Sequence, residues 1–170
     1  FSSPEKIELG KKLFFDSRLS KNNNTSCSSC HIPEFAFSDT VQFSTGTNGH
    51  VGFRNTPSIL NVAEKSLFHK DGGVRTIELQ ILSPIIDSTE MAGDLEEILG
   101  RLNKDQHYLQ LFQKAFDTVP TIFGITRAIA SYERSLLSES SAFDDYMNGD
   151  SSSLSPSQKR GVQLFTSNQL

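Results

Sequence analysis

The chain contains no tryptophan, only two cysteines, and no large excess of charge of either sign over its 170 residues. No apolar run approaches the ~18 residues of a membrane-spanning helix, so the sequence predicts no membrane span. A formal net charge of −4 argues against nucleic acid as a partner. The length permits one core, or one domain and part of another. There is no starting methionine and no signal peptide, so Phe1 is expected to be a processed or trimmed terminus.

Both cysteines fall in one short motif, Cys27-Ser28-Ser29-Cys30-His31. Cys-x-x-Cys-His is the attachment signature of a c-type haem. Two thiols at this spacing can both reach the vinyl groups on one porphyrin edge and form thioethers, which places the next imidazole under the ring as an iron ligand. The motif therefore predicts a covalent haem c and a redox protein. Haem c is attached outside the bacterial cytoplasm, which predicts a periplasmic location.

Three other uses of a Cys-x-x-Cys pair are less consistent with the sequence. Zinc usually takes four protein ligands, but there is no second cysteine pair and the other histidines are scattered. A thioredoxin-type pair follows a strand in a βαβ pattern, and no such pattern is present. A disulfide at this spacing would close a very small loop and stabilise little.

Helical periodicity dominates the sequence and predicts an all-α fold. Amphipathic segments and capping signals predict helices at 4–15, 57–64, 76–82, 106–116, 121–137, 142–147 and 156–165, with another after Asp94. Pro84 is expected to end the third of these. Residues 31–56 are rich in Gly, Ser, Thr and Pro and show weak periodicity. We expect this long irregular loop to pack on a haem, as in a cytochrome c-like domain.

Several segments keep a common order and spacing along nearly the whole chain. They are Leu9–Asp16 with Arg18–Ser20, Cys27–His31, Arg54–Ser58, Phe68–Gly72, Pro84-Ile85 with Glu90-Met91, Tyr132–Leu136 and Phe143-Asp144. Together they resemble the bacterial diheme cytochrome c peroxidase and MauG superfamily. The match covers only the first of that family's two haem domains. The resemblance implies an N-terminal, peroxide-reacting haem domain at 1–150, with 151–170 as the linker and first helix of a second haem domain.

The resemblance also implies roles for individual residues. Cys27 and Cys30 would carry the haem and His31 would be its proximal iron ligand. Glu90 matches the family's catalytic glutamate, and Gln80 matches the distal glutamine that could orient peroxide.

The same resemblance suggests roles for three further residues. His50 lies near the place of a switchable distal iron ligand, and its alternative is a solvated loop histidine. Asn55 matches a residue that contributes to a calcium site between the two haem domains. Arg54 could pair with a haem propionate or form a loop salt bridge.

Lys70 stands where many members of this family carry a tryptophan between the two haems. Because lysine has no aromatic system, the inter-haem route or the substrate chemistry must differ, which weakens a MauG-like interpretation. The leading hypothesis is a periplasmic peroxidase that reduces hydrogen peroxide with electrons from a small cytochrome c or cupredoxin. The alternatives are a MauG-like oxidase acting on a protein substrate, and a monohaem electron carrier or sensor. A homodimer is possible.

Overall fold

The computed structural model describes residues 2–167. Within that range the regular structure consists of seven α-helices and four short 3-10 helices, joined by turns and isolated β-bridges. The α-helices are α1 Pro4–Phe14, α2 Ile77–Ile86, α3 Leu95–Asn103, α4 Gln106–Phe116, α5 Ile122–Arg134, α6 Ala142–Met147 and α7 Pro156–Thr166. The 3-10 helices are Ser17–Leu19, Cys27–Ser29, Pro33–Phe35 and Val62–Glu64. The predicted all-α class is confirmed.

Short polar side chains fix where most of these helices begin. Asp94 accepts from two backbone amides at the start of α3, and Asp105 does the same for α4. Thr121 accepts from one amide at the start of α5. Such caps satisfy amide groups that have no partner inside the helix. The capping residue of α1 is Ser3, whose side chain accepts from the backbone amide of Lys6. Pro4 then occupies the first helical position, where its missing N–H costs nothing.

Two local predictions are wrong. Residues 57–64 do not form an α-helix, because Asn61 adopts a left-handed conformation and only Val62–Glu64 form a 3-10 turn. Helix α2 also continues through Pro84 to Ile86. The carbonyls of Pro84 and Ile85 accept from amides of the turn that follows, and Ile81 and Ile85 are buried. These tertiary contacts offset the hydrogen bond that proline cannot make.

The core of the first 136 residues is organised around the contact between α1 and α5. Gly10 lies directly against the backbone of Ala128, where a side chain would have no room. The Phe14 ring packs edge-on against Tyr132, with ring centroids 5.2 Å apart. Helices α2 and α4 complete this cluster. Aromatic edge-to-face pairs of this kind contribute beyond the area they bury.

The chain divides into two compact units after Leu136. The first unit contains α1 to α5 and the haem-attachment motif, and the second contains α6 and α7. The assignment of 1–150 and 151–170 to two successive haem domains stays a prediction. None of the helices in the described part of the chain has both the length and the apolarity needed to cross a membrane.

Candidate haem site

The Cys-x-x-Cys-His motif forms a tight turn. Cys27 begins the 3-10 helix, and the amides of Cys30 and His31 both donate to the Cys27 carbonyl, over 3.2 and 2.9 Å. At the start of this turn, the Ser26 amide donates to the hydroxyl of Ser29 over 3.0 Å. Both thiols are free. The turn therefore brings two unpaired thiols and one imidazole, from positions 27, 30 and 31, into one short segment, as the predicted haem attachment requires.

A backbone carbonyl orients the His31 imidazole. Nδ1 of His31 donates to the carbonyl oxygen of Phe37 over 3.0 Å, which leaves Nε2 as the nitrogen with an available lone pair. Ala36 and Phe37 are both left-handed, a costly conformation for residues with a side chain. Burial lowers the pKa of His31 and so favours the neutral imidazole that binds metals.

The loop that follows the motif is held together by its own side-chain hydrogen bonds. The Ser44 hydroxyl donates to Asp39 over 2.5 Å and lies 2.7 Å from the hydroxyl of Thr56. Ser38 donates to the Thr56 carbonyl over 2.8 Å. Asp39 also acts electrostatically on the thiol of Cys30 and on the imidazole. This network joins distant parts of the irregular loop to one another without regular secondary structure.

Glu90 lies in the turn between α2 and α3, and its side chain is exposed at the surface. Its backbone carbonyl accepts from the amide of Thr47 over 2.7 Å, which ties this turn to the haem loop. Partial desolvation raises the pKa of the Glu90 carboxyl, Asp87 raises it further, and His69 lowers it. The carboxyl also acts on Cys30. A carboxyl that holds a proton more readily than usual thus lies within electrostatic range of the motif.

Gln80 extends from α2. Its Oε1 is buried and is the one buried side-chain oxygen or nitrogen in residues 2–167 without a hydrogen-bond partner. Such an atom is costly in a finished protein interior, because its hydration is lost without replacement. An orphaned amide oxygen is consistent with a group that receives its partner from a bound molecule.

The segments around the motif expose large apolar side chains. Phe53 is 79% exposed, and the others are Phe35, Val41, Val51, Leu67 and Leu79. An apolar macrocycle can cover surface of this kind. Phe35, Val41, Val51 and Phe53 come from the 31–56 loop that the sequence assigns to haem packing, whereas Leu67 and Leu79 lie beyond that loop. With the free thiols, the available Nε2 and the orphaned Gln80 oxygen, the residues present fit a covalent haem.

The remaining predicted residues are all exposed. Arg54 forms an ion pair with Asp71, with Nη1 and Oδ1 2.5 Å apart, so the loop salt bridge foreseen for it is present. Nδ2 of Asn55 donates to the carbonyl of Gln42 over 2.6 Å. His50 lies in a turn that is closed by a hydrogen bond from the Gly46 amide to the His50 carbonyl. Their roles at iron, propionate or calcium stay predictions.

Sequence reasoning missed Glu133, a buried carboxyl on α5 that acts electrostatically on Cys27. One signal could have revealed it. Glu133 follows Ile129 by four positions, so it continues the apolar face of an amphipathic helix. A charged residue on such a face is unusual and indicates a special environment.

Comparison with known proteins places this site in a family. Residues 4–152 match the family model described as "Di-haem cytochrome c peroxidase". The chain therefore belongs to the di-haem cytochrome c peroxidase family, and the predicted superfamily is confirmed. A family of this name implies haem as the cofactor.

Individual relatives are similar over almost all of this chain. The methylamine utilization protein MauG of Methylorubrum extorquens is 37% identical over 96% of the chain and 47% of its own length. The cytochrome c551 peroxidase of Pseudomonas aeruginosa is 35% identical over 96% of the chain and 48% of its own length. A crystal structure of a MauG-like protein associated with microbial copper homeostasis matches with a TM-score of 0.91 at 33% identity, over 98% of this chain and 50% of that one.

The chain spans about half the length of the curated relatives it matches. The activity, substrates and partners of a whole protein of this kind are therefore proposals for this chain.

Proposed function

We propose that this chain is the peroxide-reacting haem domain of a periplasmic cytochrome c peroxidase. The protein would reduce hydrogen peroxide to water with electrons from a small c-type cytochrome or a cupredoxin. The observation that carries the proposal is the position of Glu90, whose partly desolvated carboxyl acts electrostatically on Cys30 of the haem-attachment motif. A proton-carrying group beside the haem is what distinguishes a peroxidase from a simple electron carrier.

Three residues of the motif would hold the cofactor. Cys27 and Cys30 would each form a thioether with the porphyrin, and Nε2 of His31 would ligate the iron from one face. The bond from Nδ1 to Phe37 fixes the orientation of that imidazole and makes it a better donor. When bound, the haem supplies the redox-active iron at which the peroxide O–O bond is broken.

Glu90 and Gln80 would handle the substrate. The Glu90 carboxylate would take the proton from the peroxide oxygen nearer the iron and return it to the farther oxygen, which then leaves as water. The raised pKa of Glu90 suits this role, because the protonated form must persist until the O–O bond breaks. The Gln80 amide would hydrogen-bond the peroxide or the water. With two electrons and two further protons, one peroxide gives two waters.

Peroxide turnover by the Glu90→Gln variant tests this proposal. In the full-length, haem-loaded protein with a reduced small cytochrome as donor, we expect the haem spectrum to persist and turnover to fall by about 10²–10⁴-fold. Glu96→Gln, which changes an exposed glutamate on α3, is the matched control and should keep wild-type turnover. Unchanged turnover in Glu90→Gln would remove this carboxyl from the mechanism.

A MauG-like oxidase that acts on a protein substrate is the second candidate. It is favoured by the 37% identity to a protein named MauG and by the MauG-like crystal structure. Lys70 speaks against it, because this exposed lysine occupies the place of the family's inter-haem tryptophan. The distal ligand of the second haem separates the two candidates: a methionine supports the peroxidase and a tyrosine supports the oxidase.

A different measurement tests the third hypothesis, a monohaem electron carrier or sensor. A low-spin ferric spectrum that does not respond to peroxide, even after partial reduction, would contradict both enzyme hypotheses.

A calcium ion at Asn55 and a homodimer belong to the same proposal. Donation by Nδ2 to Gln42 leaves Oδ1 of Asn55 as the atom that would face a cation, in keeping with the preference of calcium for oxygen ligands. We expect a calcium chelator to reduce turnover in the full-length protein, and added calcium to restore it. An Asn55→Ala variant that still responds to chelator in the same way would contradict this assignment.

A further inference from the structure

Glu133 is the only charged residue among 2–167 whose side chain is buried; the residue is 8% exposed. It lies in the last turn of α5, on the face that packs into the core. Burying a carboxyl destabilises the folded state, because the group loses its hydration on folding. The proposed mechanism at Glu90 and Gln80 does not use it.

Glu133 lies among groups that connect the haem motif to a polar surface. Burial raises the pKa of the Cys27 thiol and the charge of Glu133 raises it further, so this carboxyl lies within electrostatic range of the proposed haem attachment. The charges of Arg134, its neighbour on α5, and of Glu78 on α2 act on Glu133 in turn. Arg134 pairs with Glu78, with Nη2 and Oε1 2.9 Å apart.

The other elements packed on α5 contribute no comparable charge at Glu133. The buried face of α1 consists of apolar or small residues, namely Leu9, Gly10, Leu13 and Phe14. The 3-10 helix Val62–Glu64 buries Val62 and leaves Glu64 exposed. The charges that act on Glu133 are therefore those of Glu78 and Arg134.

A cavity of about 350 Å³ opens at the Glu78–Arg134 pair. Lys6, Arg127 and the hydroxyl-bearing Ser131 also line it. A cavity of this size has room for several waters, and its polar lining supplies hydrogen-bond partners for them. It provides a route by which a proton could pass between solvent and the Glu78–Arg134 pair.

The environment of Glu133 also poises it for proton exchange. The pKa of this carboxyl is raised to about 8, chiefly by burial; Arg134 lowers the pKa and Glu78 raises it. A carboxyl titrating near neutral pH responds to any change in nearby charge. Reduction of ferric to ferrous iron removes one positive charge from the haem, which makes protonation of a nearby carboxylate more favourable.

We propose that Glu133 binds a proton when the haem iron is reduced and releases it when the iron is oxidised, exchanging it with solvent through the Glu78–Arg134 pair and the adjoining cavity. An external one-electron donor supplies the electron that converts ferric to ferrous iron. One proton passes from water to the Glu133 carboxylate, so the total charge of the site stays constant. This inference rests on the proposed haem attachment at Cys27 and Cys30.

The midpoint potential of the haem, measured against pH, tests the inference in the full-length, haem-loaded protein. In the wild type we expect the potential of this haem to fall with rising pH across the range in which Glu133 exchanges its proton. Glu133→Gln should give a potential that is flat across this window and coincides with the acidic limb of the wild type, because glutamine imitates the neutral acid.

A second variant tests the proposed connection to the surface. Glu78→Gln removes the charge that raises the pKa of Glu133 and frees Arg134 to stabilise the carboxylate. The pH-dependent fall should therefore move to lower pH. Glu96→Gln, on α3, should follow the wild-type curve. Redox-difference infrared spectra should contain a protonated-carboxyl band that appears on reduction within this pH window, and this readout works in the wild type even if Glu133→Gln does not fold.

Two results overturn the inference in different ways. A normal c-type haem whose potential does not depend on pH would contradict only the role of Glu133. The same conclusion would follow if the potential of Glu133→Gln still fell with rising pH. A colourless protein, or a mass without the tetrapyrrole after periplasmic maturation, would contradict the haem attachment itself.

Discussion

Replacing Gly10 by alanine should destabilise the first unit, although alanine is the better helix former. An added Cβ would lie 1.9 Å from the carbonyl oxygen and 2.4 Å from the carbonyl carbon of Ala128, and 3.0 Å from Cβ of Tyr132. The first two are backbone atoms, so no side-chain rotation relieves the overlap and α1 must move away from α5. Overpacking of this kind costs about 1–3 kcal/mol and occasionally more. This exceeds the gain of roughly 1 kcal/mol that alanine brings to a helix interior.

Gly100 provides the matched control. It lies within α3, and a Cβ there would meet no atom within 4 Å. Gly100→Ala should therefore keep the propensity gain and stabilise the chain by up to about 1 kcal/mol. Urea unfolding of the haem-loaded wild type and both variants measures the two effects, which should have opposite signs. If Gly10→Ala were as stable as Gly100→Ala, the close approach of α1 and α5 would be refuted.

Three other changes should alter stability in ways that the same unfolding assay detects. Because burial raises the pKa of Glu133 from 4.5 to about 8, the folded state holds a proton that the unfolded state has lost, and the free energy of unfolding should fall by up to about 5 kcal/mol as the pH rises across that window. Glu133→Gln should abolish this slope, and equal slopes would contradict the assignment. Tyr108→Phe should cost about 1–3 kcal/mol, because the buried hydroxyl donates to the carboxylate of Asp16 over 2.7 Å; an unchanged urea midpoint would refute it. Asp94→Ala should cost about 0.5–2 kcal/mol through loss of the cap of α3, whereas Asp94→Asn should lose less.

The sequence predicted most of the helical fold because its signals are local. Helices α4 and α6 begin and end where periodicity and capping residues place them. The prediction failed where tertiary contacts decide. The left-handed conformation of Asn61 prevents the helix expected at 57–64. Backbone hydrogen bonds from the turn after α2 allow that helix to continue past Pro84 to Ile86. The Asn61 amide donates to the distant carbonyl of Leu136, and the bonds at Pro84 and Ile85 come from the amides of Met91 and Gly93, beyond the span of one helical turn.

The site follows the same division. The five residues from Cys27 to His31 are contiguous, so the reach of two thiols and one imidazole around a porphyrin follows from their spacing, and the sequence by itself predicts the chemistry of attachment. Glu90 was identified through the family resemblance. Only the tertiary structure brings its carboxyl into electrostatic range of Cys30, and only it buries Glu133 within electrostatic range of Cys27. The physical reason is that desolvation and charge interactions depend on distance in space, and residues far apart along the chain meet only when the helices pack.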